Sequence, residues 1–542
     1  MHLGSFALVL HAHVPYVRHT GQSTCGEEIL CEAMAESYIP LLNAINDLKS
    51  DGIEPRLTLG LDPILLEQLA DAEINKHFEL YLQERIALAE ADTTHPDVGP
   101  LARWYRDWYA SLLTDYRERY ARNLIGTFKA LFDAGNLDIL TSAATHGYLP
   151  LFERDSTIYA QLKLGIETTR KYFGHAPRGV WLPECGYRPA YMIGNQYKAG
   201  IEEFLADLNL GYFITDTQAI IGSKSLGLAS PDVPARKIVV RADDRPEAKQ
   251  RTTMNPYFVQ AANVAAFGCD QRTVMAISGV GHNYPSDFVY REPHRIDPRS
   301  GLKYWRTTAP NVALDQKEHY DPAAAFKRVH MHAEHFVDLV TQEIRTYHYQ
   351  GNTTGIVVAA YNTETFGRGW FEGIDWLKQV LRLIAQSDDV ELTTASAYLE
   401  QHPPQNIIAL PESSWGKKND HSTWLNSETT QMWDDIHSAE REMESLVTQF
   451  PNADGNLLVT LNQAARELLL LESSDWESWM STSKKKVFAS ERFRQHLARF
   501  NRLATIARHD AIDNDDLRLL TSIAEIDNPF AVLDYRLFAA RE

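Results

Sequence analysis

The chain has 542 residues, which is too long for one ordinary domain and suits two or three. Its 53 basic and 72 acidic residues give a formal net charge of −19 with neutral histidines, a field that repels phosphate backbones and anionic membrane surfaces. We therefore expect no nucleic acid and no membrane as partner, whereas an uncharged substrate is compatible with this charge. Four scattered cysteines and the lack of any apolar window of ~18–20 residues predict a cytoplasmic protein without a disulfide framework.

Short apolar runs alternate with helical stretches through residues 1–405. Seven of them are predicted as strands, with 390–393 as a possible eighth: 6–10, 56–61, 137–141, 179–182, 212–215, 274–277 and 356–360. Each run is apolar on both faces, as strands of a parallel sheet covered by helices must be. Seven or eight strand–helix repeats favour a closed parallel barrel over an open sheet.

Two stretches interrupt this alternation, and the end of the chain departs from it. Residues 64–135 are predicted to form an inserted helical subdomain with one apolar stripe, made of Ile74, Phe78, Tyr81, Leu82 and Ile86. Residues 222–251 are polar and proline-bearing and are predicted to be a long mobile loop, a kind of segment that is usually functional or disordered. From residue 406 to 542 the pattern becomes helical, which predicts a separate C-terminal domain.

Reactive side chains follow five of the predicted strands directly. They are His11 and His13 after the first strand, His146 after the third, Glu184 after the fourth, Asp216 after the fifth, and Asn362 with Glu364 after the last barrel strand. The C-terminal ends of the strands form the rim where active sites of parallel barrels lie. Five such strand ends together indicate a functional site.

The residue types alone leave the chemistry of this rim open. In one interpretation these residues have structural roles only. The histidine pair then forms hydrogen bonds at the rim, Glu184 is a surface turn residue, and Asp216 caps a helix. Two reactions also fit: paired carboxylates acting on a glycosidic bond, or His11 and His13 binding a metal that activates water. The many aromatic residues and the acidic surface favour a sugar substrate.

Four segments, taken in order, resemble the successive motifs of glycoside hydrolase family 57. They are His-Ala-His-Val-Pro-Tyr at 11–16, Thr-His-Gly-Tyr-Leu-Pro at 145–150, Trp-Leu-Pro-Glu-Cys-Gly-Tyr at 181–187, and Asn-Thr-Glu-Thr-Phe-Gly with Trp-Phe-Glu-Gly over 362–373. Segments 411–416, 473–476 and 492–503 resemble the helical domain of the 1,4-α-glucan branching enzymes of that family. The resemblance therefore covers nearly the whole chain.

The resemblance implies a fold, a reaction and a set of site residues. The fold is an α/β, (β/α)₇ distorted TIM-like barrel with an inserted helical subdomain and a C-terminal all-helical domain, in which the 222–251 loop covers the site. The reaction is a retaining transglycosylation of α-glucan (glycogen, amylose or maltooligosaccharide), without metal or cofactor, through a covalent glucosyl-enzyme at Glu184. The implied substrate-binding residues are His11, His13, His146, Trp181, Tyr187, Asp216, Trp370, Trp415, Asp475 and Trp476.

The sequence departs from the family pattern at the position of the general acid/base. Asn362 stands where the family has an aspartate, and an amide has no titratable proton to donate near neutral pH. Losing a general acid typically costs ~10²–10⁴ in rate. Glu364, two residues on and on the same face of an extended strand, is a possible stand-in. Gln218 and Gly369 also differ from the residues usual at their positions.

Three functions therefore stay open at the level of sequence. The first is a working branching enzyme, and the second is a catalytically impaired homologue that binds α-glucan without efficient turnover. The third is a metal-dependent hydrolase that uses His11 and His13.

Overall fold

The computed structural model of the protein describes residues 2–21, 26–228, 251–260, 262–279, 283–309, 311–351, 354–483, 485–509 and 512–541. Its centre is a ring of seven strands, labelled β1 to β7 in chain order: Gly4–Ala12, Leu57–Leu61, Leu137–Leu140, Gly179–Val180, Tyr212–Thr215, Ala265–Gly268 and Gly355–Asn362. Every residue of β1 is buried, as expected of a central parallel strand that is covered on both faces.

The strands follow one another around the ring in chain order. β7, β1, β2 and β3 form one parallel ladder, and β4, β5 and β6 form a second. A bridge between Thr141 and Val180 joins β3 to β4. After β6, the Asp270 amide donates to the Val358 carbonyl of β7 at 2.9 Å. The predicted α/β fold with seven parallel strands is thereby confirmed. The strand ladder is not closed, because among the described residues only one bridge and one hydrogen bond join its two halves at these junctions.

The sixth strand lies elsewhere than predicted. Residues 274–277 belong to the helix Gln271–Ser278, and the strand is Ala265–Gly268 instead. The Asp270 side chain caps this helix by accepting from the Thr273 amide at 2.9 Å. Ile277 is buried whereas Met275 is 53% exposed, which is a helical alternation. A four-residue apolar run does not by itself distinguish a strand from a helix.

The possible eighth strand exists but stays outside the ring. Val390–Thr393 pairs with the first half of β1, from Gly4 onward. The second half of β1, from Val9 onward, pairs with β2. The barrel therefore keeps seven strands.

Helices surround the ring, and several of them fall between β2 and β3. Those between β1 and β2 are Glu28–Ala33, the π-helix Met34–Tyr38 and Ile39–Ser50. Those between β2 and β3 are Pro63–Ala70, Ala72–Asp92, Gly99–Thr114, the π-helix Asp115–Arg119 and Leu124–Asp133. The remaining barrel helices are Asp155–Phe173, Ile201–Asp207, Thr217–Gly222, Gln271–Ser278, Pro322–Tyr349, Gly373–Ala385 and Ala395–Gln401. The limits of the helical insert as a subdomain stay a prediction.

The stretch predicted as a mobile loop begins with regular structure. Lys224–Leu228 is a strand that pairs antiparallel with Asn406–Ala409. Asn406–Ala409 also pairs with Tyr257–Val259, which in turn pairs with β6. A small sheet thus extends the barrel beyond β6. Residues 229–250, the remainder of the predicted loop apart from Arg251, lie outside the described residues.

Five longer helices form the C-terminal region and pack onto the barrel. They are Thr430–Gln449, Gly455–Leu471, Asp475–Thr482, Lys486–Ile506 and Asn514–Ile526. Their buried side chains, such as Leu468 and Phe500, belong to the same hydrophobic cluster as Leu182 and Phe213 of the barrel. None of the helices in the described part of the chain is long and apolar enough to cross a membrane.

Candidate active site

Three histidines and a tryptophan form a stack of rings at the C-terminal rim of the barrel. The His13 and His146 rings lie 3.8 Å apart and nearly parallel, at 14°. His11 stacks on His146 at 5.2 Å and on Trp181 at 4.8 Å. Both His11 and His146 are buried. The ends of β1, β3 and β4 therefore bring together four of the residues that the sequence marked.

Asp62 lies beneath this stack and was missed by the sequence analysis. It follows β2 directly and is fully buried, and its Oδ2 accepts a hydrogen bond from His146 Nδ1 at 2.6 Å. The same oxygen lies 2.9 Å from His13 Nδ1 and 3.7 Å from His11 Nε2. Burial opposes ionisation, but the His146 and His13 charges hold the pKa of Asp62 well below its usual range. The position of Asp62 at a strand end is the signal that would have found it.

The surroundings shift the pKa values of His13 and His11 in opposite directions. Burial lowers the pKa of His13, but the Asp475 and Asp62 charges more than offset this and raise it well above the usual histidine value. His13 Nε2 donates to Asp475 Oδ2 at 2.7 Å. Burial and the neighbouring His146 instead lower the pKa of His11. A neutral His11 thus stands beside a positively charged His13.

Glu184 is partly exposed at the barrel rim and has an unusual backbone conformation. Glu184 and Cys185 both have left-handed φ values, +57° and +49°, which non-glycine residues rarely adopt. Such strain of ~1–3 kcal/mol per residue persists where the surroundings enforce it, often at active sites. The Glu184 side chain is 30% exposed, and its Oε1 lies 3.8 Å from His146 Nε2. The Trp415 amide donates to the Glu184 carbonyl at 2.8 Å.

Asn362 is the last residue of β7, and Glu364 follows it in the 3₁₀ helix Thr363–Thr365. The prediction that both lie on one face of an extended strand is therefore wrong, because the strand ends before Glu364. Asn362 is exposed and pairs in register with His11. Glu364 Oε1 accepts the His13 amide at 3.1 Å and the Tyr38 hydroxyl at 2.5 Å. Burial raises the pKa of Glu364, and the hydrogen bond from Tyr38 acts in the opposite direction. Tyr38 ends a π-helix, a form that is frequent at functional sites but carries no sequence signal.

The other predicted site residues make structural contacts. The Trp476 indole is fully buried and donates to the Leu470 carbonyl at 2.9 Å. Tyr187 is fully buried and donates to Glu202, and Trp370 packs against Phe366 and Trp376. Asp216 caps the helix Thr217–Gly222 and accepts from Asn419 at 2.9 Å. In contrast, Trp415 is partly exposed and packs edge-on against Trp181 at 5.0 Å.

Two trios of side chains in the described residues offer donors of the kind that metals use. His11, Asp62 and His146 present ligand atoms within 4.8 Å of one another, and so do Glu467, His496 and Asp527. In the first trio, Asp62 Oδ2 already accepts the His146 proton, so a metal would have to break that ion pair. In the second, Arg499 already pairs with Asp527. An ion pair thus already occupies each trio, His146–Asp62 in the first and Asp527 with Arg499 at the second, whereas neither ring nitrogen of His11 has a hydrogen-bond partner among the described residues.

The chemistry available at the rim is that of two carboxyl groups in different surroundings. Glu184 is accessible and lies next to a histidine whose pKa is raised by Asp62 against the effect of burial. Glu364 has a raised pKa and is therefore biased towards carrying a proton. An accessible carboxylate and a second carboxyl group with a raised pKa suit a nucleophile and an acid acting on a glycosidic bond.

Comparison with known proteins identifies the family. Residues 7–411 match the model of glycosyl hydrolase family 57, and residues 435–538 match that of the 1,4-alpha-glucan branching enzyme C-terminal region. The 1,4-alpha-glucan branching enzyme of Thermococcus kodakarensis is 40% identical over 537 residues, which are 97% of this chain and 77% of that enzyme. These matches confirm the resemblance seen in the sequence motifs.

Solved structures agree over the full length of the chain. The crystal structure of the family 57 branching enzyme from Thermococcus kodakaraensis matches with a TM-score of 0.90 and 36% identity, covering 100% of this chain and 97% of that one. The alpha-amylase AmyC from Thermotoga maritima matches with a TM-score of 0.83 and 29% identity, covering 99% of both chains. The histidine stack, Glu184 and the seven-stranded ring therefore belong to a member of glycosyl hydrolase family 57.

Proposed function

We propose that this protein is a 1,4-α-glucan branching enzyme, which cleaves an α-1,4 bond in amylose, glycogen or a long maltooligosaccharide and transfers the released chain to a 6-hydroxyl. The observation that carries the proposal is the accessible Glu184 carboxylate, held at the barrel rim by two left-handed residues and placed beside His146. The branching-enzyme relatives, which span nearly the whole chain, support it. A net charge of −19 suits an uncharged polymer, and a cytoplasmic location stays a prediction of the sequence.

In the proposed reaction, Glu184 attacks the anomeric carbon of the bound glucan and forms a covalent glucosyl-enzyme. The glycosidic oxygen leaves with a proton from a general acid. A 6-hydroxyl then attacks the intermediate, gives its proton back to the same group and restores the original anomeric configuration. His13 and Trp415 keep exposed surface and are placed to contact the glucan. His11, His146 and Trp181 are buried members of the ring stack.

We infer that Glu364 supplies the proton that Asn362 cannot. Glu364 Oε1 accepts two hydrogen bonds, from the His13 amide and the Tyr38 hydroxyl. A proton carried by this carboxyl group therefore sits on Oε2. The raised pKa of Glu364, which burial causes, favours this protonated form. The relatives lend no support to the alternative of an impaired glucan binder.

The assay is incubation of the purified protein with amylose, following the loss of iodine colour and the appearance of α-1,6 linkages by NMR. We expect the wild type to form new linkages and Glu184→Gln to form none. Glu364→Gln should lower kcat by about 10²–10⁴, because a general acid is lost. A wild type that forms no linkages at high enzyme concentration would leave the impaired homologue as the correct function.

Substituting Asn362→Asp distinguishes the two candidate acid positions. If Glu364 is the acid, this change should alter kcat by less than about tenfold. A gain of about a hundredfold or more, together with an unaffected Glu364→Gln, would place the missing acid at position 362. Thermal unfolding of each variant controls for loss of the fold.

A further inference from the structure

A cleft opens among the helices that surround the ring of strands. It has a volume of about 240 Å³ and lies among the helices Ile39–Ser50, Gly99–Thr114, Pro322–Tyr349 and Gly373–Ala385. We call it the outer cleft. Its main lining residues are Trp104, Trp108, Phe326, Phe371, Asp47 and Lys378. None of the residues of the candidate active site lines it.

Three aromatic rings that contact one another line the outer cleft. Trp104 and Trp108 lie one turn apart on the same helix, and their rings are parallel within 5° at 6.2 Å. Phe371 meets both indoles edge-on, at 5.8 Å and 5.2 Å. Both tryptophans keep part of their surface exposed. A flat, partly exposed indole pair offers a large contact area at a low cost in conformational entropy.

The floor of the outer cleft is rigid. The Arg291 guanidinium lies 3.9 Å from the centre of the Phe371 ring. Arg291 is buried and donates to both carboxylate oxygens of Glu36, at 3.1 Å and 2.7 Å. A ring held by a buried bidentate ion pair is preorganised, so little conformational entropy is lost when a ligand binds against it.

The charges at the edge of the cleft decide which ligand class fits. Lys378 Nζ pairs with Asp47 Oδ2 at 2.7 Å, so the cation offers no free charge to an anion. Asn43 and Ser111 add neutral polar groups to the lining. Glu36 and Asp375 add carboxyl groups, which likewise disfavour an anion. Apolar walls with a few polar groups around them are typical of ligand sites. A pyranose ring has an apolar C–H face and hydroxyls along its edge, which matches partly exposed indole faces with polar groups beside them.

We infer that the outer cleft is a second, non-catalytic binding site for α-glucan chains. This inference rests on the proposed function, because it takes the same polymer as ligand. A long glucan held at both sites would dissociate more slowly than from either alone, since the second contact becomes intramolecular. A chain too short to reach both sites would gain nothing.

Affinity electrophoresis of the full-length protein in native gels with increasing glycogen tests this inference. The variants are Trp104→Ala combined with Trp108→Ala, and Ser111→Arg, which blocks the cleft from an exposed position without removing packing. Tyr349→Ala, which removes a 75% exposed ring on Pro322–Tyr349, is the matched control. We expect both cleft variants to raise the apparent Kd for glycogen about tenfold or more, and the control to match the wild type.

Activity separates the second site from the proposed reaction. The rate on a short maltooligosaccharide should stay at the wild-type value in both cleft variants, while the rate at low glycogen concentration falls. Unchanged glycogen retention in both variants would overturn the second site and leave the branching reaction standing. A wild type without branching activity would overturn the reaction, whereas a loss of retention in the cleft variants would still support the second site.

Discussion

At the scale of single residues, the hydrogen bond from Tyr38 to Glu364 decides where the acid titrates. Tyr38 is buried, and its hydroxyl stabilises the ionised form of Glu364, which burial disfavours. The pKa of Tyr38 is raised by burial and by Glu364, so the phenol stays protonated and keeps donating. The pair thus sets the upper pH limit at which Glu364 still carries a proton.

Tyr38→Phe should therefore move the alkaline limb of the kcat/KM profile to higher pH. Without the hydroxyl, the pKa of Glu364 rises further, and a group that acts as an acid stays protonated to higher pH. The expected shift is about one pH unit, since a hydrogen bond to a charged group contributes roughly 1.5–3 kcal/mol and one unit corresponds to about 1.4 kcal/mol. Tyr16→Phe is the control, because its hydroxyl donates to the Ile526 carbonyl. An alkaline limb that does not move would contradict the role of Glu364.

Residues at strand ends were predictable from the sequence, and aromatic contacts were not. His11, His146 and Glu184 meet because parallel strands deliver their ends to one rim, and Asp62 follows the same rule. Trp476 is an example, because the sequence alone does not distinguish a tryptophan in a hydrophobic core from one that stacks on a sugar. Its indole is bonded to a carbonyl in the C-terminal core.

At the scale of elements, the π-helix Met34–Tyr38 is joined to the loop after β7. Ser37 Oγ donates to the Phe366 carbonyl at 2.6 Å and accepts the Arg368 amide at 3.2 Å. Gly367 has a φ of +91°, and a Cβ there would lie 1.7 Å from the Glu36 carbonyl oxygen. This close approach places Tyr38 over Glu364 and requires a glycine.

Gly367→Ala should therefore lower the free energy of unfolding by more than the strain of a left-handed φ alone would. Gly52→Ala is the matched control, because Gly52 has a φ of +77° and a methyl group added there would meet no atom within 4 Å. The control should lose about 1–2 kcal/mol of unfolding free energy, and Gly367→Ala several kcal/mol. Urea denaturation of both variants measures the difference, and equal losses would contradict the role of the close contact.

The elements themselves were largely predictable, with one informative exception. Long helices are recognisable in the sequence by their helical period, and strands such as β1 by a continuous apolar run. The run 274–277 does not, because its place in the Gln271–Ser278 helix depends on the Asp270 cap and on the face that is buried. The discontinuous barrel ladder is likewise a matter of packing between strands.

At the scale of the whole molecule, buried carboxyl groups lie in the C-terminal helical region that packs on the barrel. Burial raises the pKa of Glu440 and of Glu477 to about 8. Both oxygens of Glu477 are buried without a hydrogen-bond partner among the described residues. In the unfolded chain these groups titrate near 4.5. Below about pH 4.5 these groups are protonated in both states and burial costs no ionisation energy. As the pH rises to about 8 the unfolded chain ionises first, so the free energy of unfolding falls.

Glu477→Gln should flatten this pH dependence. Each unit of pH between the two pKa values costs the wild type about 1.4 kcal/mol at this site, and a neutral amide does not titrate. Measured from pH 5 to pH 8.5, the unfolding free energies of the wild type and of Glu477→Gln should be closest at low pH and should differ increasingly as the pH rises. The exposed Glu118→Gln should leave the wild-type slope unchanged. A Glu477→Gln slope equal to that of the wild type would refute this assignment.

The pairing of β1 has a consequence for the order in which the molecule forms during translation. β1 leaves the ribosome long before its partners, because one of its edges is completed only by Gly355–Asn362 and part of the other by Val390–Thr393. Local helices such as Ala72–Asp92 and Gly99–Thr114 pack on each other much earlier, since contacts between sequence neighbours form fastest. The strand that carries His11 is thus synthesised long before it can be fixed in place, and its open edges need protection until the later strands emerge.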